Sequence, residues 1–240
     1  MKNICIPFFG AMTLMVSLLV SQSLWAANFT AQVFEMNADP VKDNPIYKVK
    51  HDETLSDDGL KFHNVYSSND GKEALIEEVA LKGTDVLSYH VNHIQVGEEG
   101  NIEVKDKKVL FTYKKKDHEA KTAEENYVDN LVIGPSVVPY VQKHWAQIKA
   151  GEKVSVRLAV PDRRETVGFD LFKDKTSTDA KTVVKMKASS LVISALVDPL
   201  YFTFLPDGTR MTEMKGRTPF KREHDGQFTD LDAHTIYKFE

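Results

Sequence analysis

The sequence predicts a mainly β protein, built as a curved antiparallel sheet or half-barrel with one or two packed helices. Three observations predict this fold class. Apolar and polar residues alternate along several short segments, turn residues separate those segments, and one stretch repeats its apolar residues with helical spacing. Together they indicate a single β-rich domain over residues 28–240, preceded by an export signal over residues 1–27.

Residues 1–27 have the order of a secretory signal peptide. Lys2 supplies a positive charge, residues 10–20 are uncharged and apolar, and the segment ends in the small residues Ala26 and Ala27. A membrane-spanning helix needs about 20 apolar residues, and the polar residues 21–23 interrupt this run early. We therefore expect cleavage after Ala26 or Ala27, no membrane span in the mature chain, and a periplasmic location.

Cysteine content and charge narrow the class of protein. The only cysteine, Cys5, lies in front of the apolar run, whereas a lipoprotein needs a cysteine directly after it. The mature chain is therefore expected to carry no lipid anchor, disulfide or reactive thiol. A formal net charge of −4 argues against nucleic acid as a partner, because phosphate binding requires a concentrated basic surface.

The strands and turns follow in order along the chain. Alternation over residues 29–33 predicts a first strand, and turn residues mark the stretch from there to Gly71. Segments 86–96 and 109–113, with Ile102 and Val104 between them, predict an antiparallel meander.

One helix is predicted over residues 135–151. Its apolar residues Val137, Val141, Trp145 and Ile148 would form a stripe that packs on the sheet, and Gly151 ends it.

The C-terminal half carries the clearest strand pattern. Over residues 153–160 every second residue is apolar, residues 166–172 predict its hairpin partner, and residues 181–188 repeat the alternation. Residues 189–197 predict one or two helical turns or a buried strand, a hairpin is expected over 200–215, and a last strand over 235–239.

No catalytic or cofactor motif is present, so the sequence predicts neither catalytic residues nor a cofactor. It lacks the nucleophile elbow, the phosphate-binding loop and the paired histidines of a zinc protease helix. His90 and His93 would point to opposite faces of a strand, so ordinary sheet histidines are the better interpretation. Asp230, Asp232 and His234 would share one face and could hold a hard cation, although a solvated strand end explains them as well.

Basic and apolar residues suggest a ligand site. Arg163, Arg164, Arg217 and Arg222 would form an anion site if they converged at one end of the sheet, and otherwise they are solvated turn residues. Phe169, Phe202 and Phe204, with the helical Trp145, either fill an ordinary core or line a partly open concave face that holds an acyl chain.

Three segments resemble a group of exported bacterial proteins. They are residues 130–151 (NLVIGPSVVPYVQKHWAQIKAG), 154–169 (VSVRLAVPDRRETVGF) and 197–217 (VDPLYFTFLPDGTRMTEMKGR). The architecture of that group is similar to the lipoprotein-carrier proteins of the Gram-negative periplasm, in which helices close a curved sheet around a lipid cavity. The resemblance implies a fold and a hydrophobic ligand, and it assigns no role to an individual residue.

The function expected from these observations is the binding or carriage of a hydrophobic or lipid-like ligand in the cell envelope. The alternatives are a periplasmic hydrolase with a carboxylate or histidine site assembled by the fold, and a structural or interaction module that binds other envelope proteins. One feature separates them: the face that carries Val154, Val156, Leu158 and Val160 is either filled by the helix or left hollow.

Overall fold

The computed structural model describes residues 28–239, so the predicted signal peptide lies outside the described residues. The strands are Phe29–Glu35 (β1), Tyr47–Ser56 (β2), Gly59–Ser68 (β3), Glu73–Lys82 (β4), Asp85–His93 (β5), Glu98–Lys105 (β6), Lys108–Lys114 (β7), Lys121–Asn126 (β8), Leu131–Val132 (β9), Val154–Val160 (β10), Glu165–Lys173 (β11), Thr182–Ala188 (β12), Leu200–Phe204 (β13), Met211–His224 (β14) and Gln227–Phe239 (β15). The helices are Val137–Lys143 (α1), Trp145–Lys149 (α2) and Leu191–Ser194 (α3), and a 3-10 turn over Gly134–Ser136 precedes α1. The predicted mainly β class, with a curved sheet and packed helices, is confirmed.

All of these strands belong to one sheet with the order β8-β7-β6-β5-β4-β3-β2-β1-β15-β14-β13-β12-β11-β10-β9. Neighbouring strands are antiparallel, except that the short β9 pairs parallel to β10. The first strand pairs with both β2 and β15, so the N-terminal and C-terminal halves of the sheet meet at β1.

The strand order requires the sheet to curl upon itself. Strands β8 and β9 form the two opposite edges, yet only residues 127–130 separate them along the chain. Hydrogen bonds join the edge strand β8 to β11, two strands in from the opposite edge: the Glu125 carboxylate accepts from the Thr166 backbone N–H at 3.0 Å and from its hydroxyl at 2.6 Å. The sheet is therefore barrel-like, with a seam made partly by side chains.

Helices α1 and α2 lie at one end of this barrel, which we call the helix end. The Lys143 ammonium donates to the Thr84 hydroxyl in the β4–β5 turn at 3.0 Å. The Gln142 amide donates to the Thr209 carbonyl in the β13–β14 turn at 2.8 Å. The predicted continuous helix is interrupted at His144, whose backbone leaves the helical region (φ −101°, ψ 17°).

The opposite, hairpin end carries the long β14–β15 hairpin and α3. The pairing of β14 with β15 shifts register between Arg217 and Lys221, as expected of a bulge that bends a strand. The bent strand places the Phe220 ring 4.6 Å from the Tyr47 ring and 5.2 Å from the Tyr66 ring. Phe220 thus fills part of this end of the barrel.

Two apolar clusters form the core. One lies between β1–β7 and the last two strands, and it includes the buried Leu75 and Phe111. The other packs α1 and α2 onto β10–β13, and Val141, Ile148 and Leu171 in it are fully shielded from solvent. Within residues 28–239 no helix is long and apolar enough to cross a membrane.

Candidate ligand-binding cavity

The curled sheet surrounds a partly open cavity of about 1340 Å³. Its lining runs from Thr84 and Lys143 at the helix end, past Glu77 in the middle, to His93 and Arg217 at the hairpin end. Pockets that hold drug-sized molecules measure about 300–1,000 Å³. The cavity is therefore large enough for an elongated ligand that lies along the barrel.

The strands from β10 to β14 form one side of the cavity, which we call the apolar wall. It consists of Leu158, Val167, Phe169, Met186, Phe202 and Met214. Alternate residues of a strand point to the same face, so the alternation of these strands turns their apolar side chains inward. Methionine side chains adapt their shape to what they contact, which suits a wall that packs against ligands of variable form.

The inward face of β10 is filled at one end and hollow at the other. Val154 and Val156 belong to the cluster that contains Val141 and Ile148 of the helices. Leu158 and Val160, further along the same face, line the cavity. The helices thus close the barrel without filling it.

Strands β2 to β5 form the facing side, the polar wall, whose centre is Glu77 on β4. The Glu77 side chain is 2% exposed. The Tyr66 hydroxyl donates to its Oε2 at 2.6 Å, and the Tyr89 hydroxyl donates to its Oε1 at 2.7 Å. The Asn64 amide nitrogen lies 3.4 Å from Oε2. The carboxyl group is therefore held in place by neutral donors from the two adjacent strands.

His51 on β2 completes the polar wall. Its Nδ1 lies 2.6 Å from Asn64 Oδ1, and its ring stacks on Phe29 of β1 at a centroid distance of 4.1 Å. His51, Asn64 and Glu77 are register partners across β2, β3 and β4. A continuous hydrogen-bonded row thus crosses three strands of the interior.

Burial governs the electrostatics of this row. Removal from water raises the pKa of the Glu77 carboxyl, and the hydrogen bonds from Tyr66, Tyr89 and Asn64 oppose that rise. Burial, together with the adjacent Glu77 charge, raises the pKa values of Tyr66 and Tyr89 well above the ordinary value, so both hydroxyls remain neutral donors. None of the ion pairs formed within residues 28–239 joins a lysine or arginine to Glu77.

The polar wall was not predicted from the sequence, although one signal for it exists. Leu75, Val79 and Leu81 are buried on β4 at alternate positions, and Glu77 occupies the same face between them. A charged residue on an otherwise apolar strand face marks a buried ionisable group, and such groups are enriched at functional sites.

The predicted aromatic site residues fall into two pairs. Phe169 and Phe202 line the cavity. Trp145 and Phe204 instead pack against each other at the helix end, with ring centroids 5.4 Å apart, and neither contributes to the cavity lining. The Trp145 indole N–H is buried without a hydrogen-bond partner among the described residues.

The predicted arginines all lie at the hairpin end, and three of them are paired with carboxylates. Arg163 contacts Glu165 at 2.6 Å. Arg217 bonds to Asp230 and Asp232, and Arg222 bonds to Glu35. Arg164 occupies a turn position with a left-handed backbone (φ 55°). Of the four, Arg163 and Arg217 border the cavity.

The histidine and aspartate candidates do not form a metal centre in the described part of the chain. His90 pairs with Glu78 and Glu99, whereas His93 lines the cavity, so the two lie on opposite strand faces as their spacing predicts. Asp230 forms ion pairs with Arg217 and Lys221. His234 Nε2 lies 3.2 Å from a carboxylate oxygen of Glu213. Residues 28–239 contain no group of three side chains placed to hold a metal ion.

Comparison with known proteins gives one likeness of fold. No family model and no curated protein matches the chain. The crystal structure of a β-barrel-like protein of the domain of unknown function DUF1849 from Brucella abortus is similar, with a TM-score of 0.48 and 8% sequence identity over 90% of this chain and 96% of that chain. The likeness concerns the course of the backbone and transfers no role to any side chain. The resemblance to lipoprotein carriers remains a prediction.

Proposed function

We propose that the protein binds or carries a hydrophobic or lipid-like ligand inside its curled sheet. The observation that carries the proposal is the cavity of about 1340 Å³ whose apolar wall belongs to the barrel interior. Burial of apolar surface stabilises a bound chain by about 25 cal/mol per Å², so an acyl or alkyl chain is the occupant that this wall favours.

The cell envelope is the proposed place of action. The signal-peptide pattern of residues 1–27 supports export to the periplasm, and the only cysteine of the chain lies within that segment. A carrier that shields an apolar chain from water suits an aqueous compartment between two membranes. Leu191, Val192 and Leu196 on and beside α3 are 86%, 72% and 81% exposed at the hairpin end, and they offer an apolar surface beside the cavity.

Native mass spectrometry with and without lipid extraction tests the proposal. We expect the purified mature protein to carry a lipid-like adduct, or to take up an environment-sensitive naphthylamine dye after extraction. Leu158→Trp should weaken dye binding because the larger ring narrows the cavity at the apolar wall. Leu87→Trp is the matched control, since Leu87 is exposed on β5 and does not line the cavity.

Protein that carries no adduct and binds no dye would overturn the proposal. Equal loss of dye binding in the two tryptophan variants would also contradict it, because only one of them narrows the cavity.

A hydrolase is the second candidate, and the buried Glu77 with its raised pKa favours it, because general acids and bases are tuned in this way. Under this alternative, the protein would release free chains from long-chain esters and Glu77→Gln would stop the release. A long-chain ester that binds to the protein but is not hydrolysed would favour the carrier function over the hydrolase.

A further inference from the structure

Glu77 and its neighbours form a polar site within an otherwise apolar cavity. Glu77 lines the cavity, and about 2% of its surface is exposed there. A ligand inside the barrel therefore reaches Glu77 through this small exposed part, next to the hydroxyls of Tyr66 and Tyr89. The site is part of the proposed ligand-binding cavity, and the inference below rests on that function.

The hydrogen-bonding capacity of Glu77 is only partly used. A carboxylate offers about four acceptor positions. The hydroxyls of Tyr66 and Tyr89 occupy two of them at 2.6 and 2.7 Å, and the Asn64 amide approaches a third at 3.4 Å. At least one position is left for a donor that enters from the cavity.

The negative charge of the cavity lining near Glu77 would favour a positively charged ligand group there. Glu53 adds a second carboxylate to the cavity lining, 3.8 Å from His51 Nε2. The lysines and arginines among the described lining residues all belong to the two ends of the barrel: Lys115, Lys143, Arg163, Arg210, Arg217 and Lys221. A buried carboxylate without a lysine or arginine partner is costly. Within residues 28–239 the side chain that could carry a positive charge near Glu77 is His51 of the same row, so a positive ligand group would offset part of that cost.

We infer that the cavity selects amphiphiles with a positively charged head group, namely long-chain primary amines, whose ammonium binds Glu77 while the chain lies on the apolar wall. The ammonium donates a charge-assisted hydrogen bond to the free acceptor position of the carboxylate. A fatty acid of equal length would place a second negative charge beside Glu77 and Glu53, and binds more weakly.

Three probes of equal chain length test the head group: dodecylamine, dodecanol and dodecanoate, each titrated calorimetrically into the lipid-extracted mature protein at neutral pH. We expect dodecylamine to bind about tenfold or more tightly than dodecanol, and dodecanoate to bind most weakly. Glu77→Gln should remove the advantage of the amine and leave dodecanol within about twofold of its original affinity.

The neighbouring residue provides the matched control. Glu78 lies on the outer face of the same strand, where it faces His63 and His90, so Glu78→Gln changes the same charge without touching the cavity and should alter none of the three affinities. Equal binding of amine and alcohol, or preference for the carboxylate, overturns the inference and leaves the proposed function standing. Failure of all three probes to bind overturns both. The comparison of head groups on the unmodified protein holds even where Glu77→Gln does not fold.

Discussion

The two walls of the cavity differ in chemistry although both are antiparallel sheet. The polar wall places hydrogen-bonded His51, Asn64 and Glu77 on three neighbouring strands, whereas the side chains of the apolar wall, such as Phe169 and Met186, carry no hydrogen-bonding groups. A barrel that was apolar all round would hold a chain in any direction. A polar patch on one wall fixes the position of a head group, so under the proposed function the ligand is an oriented amphiphile.

The two walls also differ in how well the sequence predicts them. The strands of the apolar wall are predicted by the sequence, because apolar and polar residues mostly alternate along β10 and β12. Whether their apolar face is filled or hollow is left open by the sequence. Strands β2 and β3, each ten residues long, occupy a region in which the sequence predicts a series of turns. The reason is physical: polar residues such as His51 and Asn64 face the interior, so the apolar alternation that marks a half-buried strand is broken at those positions.

Closure of the sheet could not be predicted from local patterns either. It depends on pairing between the first and last strands and on seam contacts such as Glu125 with Thr166, which are distant in sequence. The predicted convergence of the arginines needed the same information, because their carboxylate partners Glu35, Asp230 and Asp232 are also set by strand register.

The largest expected loss of stability comes from a substitution in the filled part of the barrel, and it is compared with the same substitution beside the cavity. Phe204→Ala should lower the free energy of unfolding by about 3–5 kcal/mol, because Phe204 is completely buried against Trp145. Phe202→Ala on the same strand face should cost at least about 1 kcal/mol less, since Phe202 already borders the cavity. Urea unfolding measures both. Equal losses would show that the cavity is filled by protein.

A smaller effect tests the closure of the helix end. A methyl group on Gly208 would lie 2.3 Å from the Trp145 ring. Gly83 has a similar left-handed backbone (φ 63°, against 79° at Gly208) but open space around it. Gly208→Ala should therefore destabilise the protein by about 1–3 kcal/mol more than Gly83→Ala. Thermal unfolding of the two variants provides the comparison, and equal stability would contradict packing of α2 onto the β13–β14 turn.

The polar wall predicts a pH dependence whose sign is fixed. Burial raises the pKa of Glu77 in the folded protein, so the folded state favours the protonated carboxyl group. The contribution of this group to the free energy of unfolding is therefore complete below the ordinary pKa of 4.5, and it is lost as the pH rises through the pKa of the folded state. Glu77→Gln should thus become more stable relative to the unmodified protein as the pH rises above 4.5.

The control for this prediction is Glu78→Gln, which should show no such trend. His51, Tyr66, Tyr89 and Tyr237 face or surround the Glu77 carboxyl in the interior and are unchanged in both variants. Urea unfolding over a pH series measures the difference. A difference that shrinks with rising pH would mean that the carboxylate is stabilised, not penalised, by its surroundings.

The smallest effect concerns the seam. Glu125→Ala removes two hydrogen bonds to Thr166 and should cost about 1 kcal/mol. Glu124→Ala removes only an exposed ion pair with Lys108 at 3.4 Å and should change stability by less than about 0.5 kcal/mol. Guanidinium unfolding measures the stability of both variants. An equal change would show that the Glu125–Thr166 contact does not help to hold the sheet closed.

Nuclear magnetic resonance of methyl-labelled methionines tests the central claim, that a ligand lies inside the barrel, most directly. Met186, Met211 and Met214 line the cavity, whereas Met36 lies in the loop between β1 and β2, outside it. Titration of dodecylamine into the labelled protein, prepared without residues 1–27, should shift the three cavity signals together and leave the Met36 signal in place. Shifts confined to Met36, or no shift of the cavity methionines at saturation, would contradict an internal ligand site.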